Sequence, residues 1–81
     1  MRIQVRAFAR TRELLGSGSL DLELPAGSTV ADAWNALEAR SPQLRDLAAS
    51  TRLARNARMV KREDGLADGD ELALLPPVGG G

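Results

Sequence analysis

The spacing of the apolar residues changes twice along this chain, and the order of those changes limits the folds open to it. Ile3, Val5, Ala7 and Ala9 stand at every second position between Arg2, Gln4, Arg6 and Arg10, the pattern of a strand with one buried face. Leu20, Leu22 and Leu24 repeat the pattern around Asp21 and Glu23. Between the two runs, Arg12-Glu13-Leu14-Leu15 forms a short helical turn and Gly16-Ser17-Gly18 a tight one, so the strands are predicted to pair antiparallel. Pro25-Ala26-Gly27 then stops the second strand. Thr29 followed by Asp32 has the spacing of a capping box, with Asp in place of the more usual Glu or Gln. From Val30 the spacing is helical: Val30, Ala33, Trp34 and Leu37 fall on one face that must meet the sheet. Ser41-Pro42 ends that helix, because the residue before proline is pushed out of the helical region.

The second half is predicted to return to the sheet. Leu44 and Leu47 suggest one more helical turn, and 51–57 reads as a third strand. Within it Arg55 shares a face with Leu53, so it must either snorkel or sit at the strand end. Asp64-Gly65 and Asp68-Gly69-Asp70 are turns, and 71–75 is the last strand, with Leu72 and Leu74 inward. Pro76-Pro77 stops that strand in an extended conformation. A chain of 81 residues with no internal repeat has room for one modest core. The order strand, strand, helix, strand, strand therefore predicts a single α+β domain, 1–81, with one main helix packed on one face of a mixed sheet. With the first and last strands parallel and adjacent, this is the ubiquitin-like β-grasp.

Composition removes whole classes of function. Lys and Arg number 11 and so do Asp and Glu, which leaves no global field to attract nucleic acid or an anionic membrane. With no Cys and no His, there is no cysteine nucleophile, no thiolate metal site and no imidazole base. Side-chain catalysis is poorly supplied, and no active site of the chain's own is expected. The start, MRIQVRAFAR, lacks the unbroken apolar run of a signal peptide, and no stretch reaches membrane-spanning length; the expected location is cytoplasmic. Asp68, Asp70 and Glu71 lack the spacing of a calcium loop, so no metal site is expected. Arg52, Arg55, Arg58, Lys61 and Arg62 adjoin Glu63, Asp64, Asp68, Asp70 and Glu71. Without interleaved aromatics to stack on bases, this run reads as a self-neutralising solvated edge and not a nucleic-acid patch.

The run from Leu66 to the end, LADGDELALLPPVGGG, is similar to the closing signature of the molybdopterin synthase small subunit family of sulfur carriers. Phe8 to Leu14 resembles that family's segment after its first strand, and Ser28 to Asp32 its helix start. The similarity covers essentially the whole chain. Gly79 stands where the family usually carries a side chain, and Arg55 where it usually has an apolar residue. The resemblance implies that an ATP-using, ubiquitin-activating-like adenylyltransferase adenylates the carboxylate of Gly81, which then receives sulfur to become a thiocarboxylate. The sulfur is delivered to a pterin precursor in the large subunit of the synthase, with a heterotetramer expected and no cofactor bound by the chain itself. Residues 76–81 would be a flexible tail in which Val78, Gly79 and Gly80 carry Gly81 into a narrow site. Four extended residues reach roughly 13 Å, and a β-carbon near the end would obstruct the channel.

Phe8 and Leu75 break the inward alternation of their strands and so point to the face the helix leaves open; with Met59 they form an apolar patch. The resemblance makes Phe8, Met59 and Leu75 docking residues for both partners. Arg12, at the same end, either pairs with an acidic partner residue or stays solvated. The residues leave other readings open: a protein modifier, a sulfur donor for tRNA thiolation or for thiamine or cysteine synthesis, or an interaction module with an inert tail.

Overall fold

A computed structural model of the chain describes residues 1–77. Strand β1 (Arg2–Ala7) is followed by a short helix α1 (Ala9–Leu15), strand β2 (Ser19–Glu23) and the main helix α2 (Val30–Arg40). A 3-10 turn (Pro42–Leu47) leads to β3 (Arg52–Arg55), β4 (Arg58–Met59) and β5 (Glu71–Leu75). The sheet has the order β2-β1-β5-β3-β4. β1 and β5 run parallel with Ala7 opposite Leu74, and every other pairing is antiparallel. This is the mixed sheet of the β-grasp, with the last strand in its middle.

The core follows from the alternation. Ile3, Val5, Ala7, Leu22, Leu53, Leu72 and Leu74 project from one face of the sheet onto Val30, Ala33, Trp34 and Leu37 of α2, and Leu44 of the 3-10 turn closes the same cluster. The capping box forms as its spacing demands: the Asp32 N–H donates to Thr29 Oγ1 at 3.2 Å and the Thr29 N–H to Asp32 Oδ2 at 2.9 Å. The next two amides of α2 also find acceptors, Val30 on the Asp64 carbonyl and Ala31 on the Arg62 carbonyl, so the helix start is sewn to the β4–β5 loop.

That loop also supplies Arg62, whose guanidinium lies 5.2 Å from the centroid of the Trp34 ring and donates to the Ala48 carbonyl at 2.6 Å. Trp34 Nε1–H donates to Glu38, one turn along α2. Arg62 therefore fastens the loop, the helix and the end of the 3-10 turn together. Arg62→Ala is expected to cost about 1–2 kcal/mol through the lost cation–π contact and hydrogen bond. Urea denaturation with an unchanged slope checks it.

The Asp-Gly-Asp turn sets the parallel register. Asp68 Oδ1 accepts from the Arg2 N–H at 2.7 Å, the Gly69 N–H donates to the Arg2 carbonyl, and the Gln4 N–H donates to the Asp70 carbonyl. Gly69 sits at φ 87, where a side chain would be strained. The Asp70 carboxylate is held below its ordinary range chiefly by the Ala67 N–H, with help from the Asn56 amide and the Arg55 charge, against some desolvation. A depressed folded-state pKa contributes stability that is present above the unfolded value and lost as pH falls through the folded one. Melting temperature should thus fall on acidification below about pH 4, and less steeply in Asp70→Asn; a pH series of melts on both proteins measures the difference.

Three expectations need correction. Ala9 does not continue β1: it is exposed and opens α1 at φ 51, so the backbone turns where the sequence pattern runs on. The helical turn accordingly begins at Ala9, ahead of Arg12. The third strand stops at Arg55, and Asn56 and Ala57, both at positive φ, turn the chain into β4. The charged run holds no ion pair within 4 Å between its own basic and acidic residues; the pairs among the described residues are Arg2–Glu23, Arg6–Glu71, Arg10–Glu13 and Arg45–Glu38. Arg55, at the strand end as its placement required, instead donates to the Gly65 carbonyl.

Candidate docking face

The face of the sheet opposite α2 is organised in rows set by the strand register. Ala73 of β5 pairs with Arg6 on one side and Ala54 on the other, and Ala54 pairs in turn with Met59. One row therefore reads Arg6, Ala73, Ala54, Met59. Directly paired residues share a face, and Arg6 and Met59 are exposed. Ala54 is buried yet stands outside the core cluster, as expected of a small residue on this second face.

The next row lies toward the end of β5. Leu75 pairs with Arg52, and Phe8 follows Ala7, the partner of Leu74. Phe8 is extended at φ −135 and ψ 154, so it projects opposite to buried Ala7, onto the same face as Leu75. Its exposure is 41% and that of Met59 is 57%, the two large apolar side chains most open to water among the described residues. Leu75 is half-buried. Phe8 and Leu75 thus adjoin, while Met59 lies at the sheet edge, joined to them through Ala73 and Ala54.

Phe8 is fixed from below. Buried Thr11 donates its hydroxyl to the Phe8 carbonyl at 2.7 Å and accepts from the Phe8 N–H at 3.1 Å. A groove of about 230 Å³ lies beside it, with Leu47, Thr51, Pro76 and Pro77 in its lining. The root of the tail therefore leaves the fold next to Phe8. Arg12 is exposed, and its side chain passes over Gly18, where an added β-carbon would meet its Nε at 3.4 Å. Val78, Gly79, Gly80 and Gly81 lie outside the described residues.

Sequence reading missed Thr11 as the residue that holds Phe8, and it missed β4. The strand signal was absent because β4 has two residues, both exposed. No group of Asp or Glu side chains among the described residues is arranged to hold a metal, and no helix there is long and apolar enough to cross a membrane.

A parallel first-and-last strand pair, a helix across one face and an open apolar patch at the end of the last strand define a ubiquitin-like β-grasp domain. Residues 5–81 match the ThiS family, and the chain belongs to it. The molybdopterin synthase sulfur carrier subunit of Arabidopsis thaliana is 36% identical over 81 residues, covering all of this chain and 84% of that one. Small archaeal modifier protein 3 of Haloferax volcanii is 32% identical over 92 residues and both chains are covered in full. Among solved structures, SAMP1 from Haloferax volcanii superposes with a TM-score of 0.89 at 30% identity, again over the whole of both chains.

Proposed function

We propose that this chain is a sulfur carrier, the small subunit of a molybdopterin synthase, acting through the carboxylate of Gly81. The observation that carries this reading is full-length similarity to a sulfur carrier subunit, on a fold whose apolar patch sits at the root of a tail ending in three glycines. A carboxylate is a poor electrophile; an ATP-using adenylyltransferase makes it an acyl-adenylate with release of pyrophosphate, and sulfide-level sulfur attacks the acyl carbon, forming the C–S bond as the bond to AMP breaks, to leave a thiocarboxylate. The large subunit then receives the tail, and the sulfur becomes the nucleophile toward the pterin precursor. Phe8, Leu75 and Met59 dock the carrier on each partner in turn, with Arg12 at the margin. No side chain of the carrier takes part in the chemistry. Cytoplasmic placement belongs to the same reading.

Intact-mass analysis after incubation with an adenylyltransferase, ATP and a sulfur donor tests it: one oxygen should be exchanged for sulfur, and fragmentation should place the change at Gly81. Sulfur found on an internal side chain overturns the assignment. The likeness to archaeal modifiers favours one second reading, in which the activated tail acylates lysines of other proteins or serves another sulfur pathway. Supplying the activated chain with the synthase large subunit and precursor, against a lysine-bearing acceptor protein, separates the two.

A further inference from the structure

We infer that the docking face is half cationic, and that its partner is a protein surface in which carboxylates border an apolar socket. The inference rests on the docking role given above to Phe8 and Leu75. Arg52 is the register partner of Leu75 on the adjacent strand, so it shares that residue's face. The β3–β4 pairing continues past its last strand residue, since the Val60 N–H donates to the Leu53 carbonyl at 3.0 Å. One step further, Lys61 falls opposite Arg52, and alternation from Met59 puts it on the open face. The row at the tail end of the sheet therefore reads Phe8, Leu75, Arg52, Lys61, with the two cations within about 10 Å of Leu75 at ordinary strand spacing.

Both cations are exposed, and neither has a carboxylate within 4 Å among the described residues. The other cations of this face on β1, Arg2 and Arg6, are engaged with Glu23 at 2.9 Å and with Glu71 at 3.5 Å. Asp64 accepts from the Lys61 backbone N–H and not from its ammonium. Acidic side chains of the same face, Asp21 and Glu23, lie on β2, beyond β1 from the apolar patch. A chain with formal net charge zero thus places uncompensated positive charge beside the patch. A partner that desolvates Leu75 must bring counter-charges to Arg52 and Lys61 or leave them unpaired in its shadow, which is costly.

The test uses the full chain with the molybdopterin synthase large subunit from the same genome. Arg52→Glu combined with Lys61→Glu should weaken binding at least about a hundredfold at low salt, because opposition becomes repulsion. Arg52→Gln combined with Lys61→Gln should weaken it less, and wild-type affinity should fall as salt rises. Lys61 is the only lysine in the chain, so a cross-link at its side chain is told apart from one at the Met1 amine by peptide mass. Carbodiimide treatment of the complex should therefore join Lys61 to an Asp or Glu of the large subunit, identified by peptide mass.

Unchanged binding of the charge-reversed protein, with binding lost in Phe8→Asp, overturns this inference and leaves the docking face standing. Unchanged binding in Phe8→Asp as well overturns both. Self-association, or binding of a duplex oligonucleotide, that is lost in the charge-reversed protein would assign the cations to a second copy or to nucleic acid, and either outcome overturns the inference.

Discussion

A chain lacking Gly81 should bind the large subunit and the adenylyltransferase normally and yield no detectable sulfur transfer. Its new end, Gly80, is chemically competent, but it stops about 3.5 Å short of where the full chain ends. Transfer requires the reacting atoms near van der Waals contact, where a misplacement of about 1 Å can already cost roughly a hundredfold. In the proposed reading docking depends on Phe8, Leu75 and Met59, which the deletion leaves untouched. Gly80→Val should likewise dock and fail, since its branched β-carbon obstructs a narrow site. Gly79→Ala should be tolerated, because it restricts the unbound tail without lengthening or shortening it. Thiocarboxylate formation and affinity, measured in parallel on the three variants, decide the matter. If the Gly81 deletion is sulfurated as well as the full chain, reach is not what the three glycines provide.

Leu22→Asp should unfold the domain, whereas Phe8→Asp should leave it folded and deprive it of its partners. Leu22 is 3% exposed and belongs to the core cluster, while Phe8 is 41% exposed. A carboxylate forced into the core costs several kcal/mol, comparable with the roughly 5–15 kcal/mol that stabilises a typical domain. On the open face the same carboxylate stays hydrated until a partner arrives, and then weakens binding by at least about tenfold, or 1.4 kcal/mol. Circular dichroism on each variant, followed by a binding titration, separates the two outcomes. Equal melting of both proteins would place Phe8 in the core and remove the docking face.

What the sequence made legible is what depends on local rules. The alternation around Ile3 and Val5, and around Leu72 and Leu74, named the inward residues because one buried sheet face imposes a period of two. Thr29 and Asp32 marked the helix start because orphan amides need acceptors wherever the helix lies. Ala9 misled because alanine fits any pattern and nothing in its neighbours announces a positive φ. The partners of Arg55 and Arg62 were hidden for a different reason. Both donate to backbone carbonyls of distant segments, and every residue carries a carbonyl, so no residue type advertises the acceptor. The apolar patch was legible in part: Phe8 and Leu75 broke their pattern, but the cations beside them read as ordinary solvated charge until the register put Arg52 next to Leu75.

The position of β5 between β1 and β3 also has a mechanical meaning. In the proposed role a carrier must be withdrawn from each partner, and a pull directed along β5 loads that strand lengthwise. Because that strand is laced to a neighbour on either side, the load falls in shear on two ladders at once, with many bonds strained together. An edge strand pulled sideways would instead open like a zipper, one bond at a time. The sheet thus anchors the tail where traction is resisted best, so release from a partner's grip can proceed without drawing out the strand that holds the reactive end.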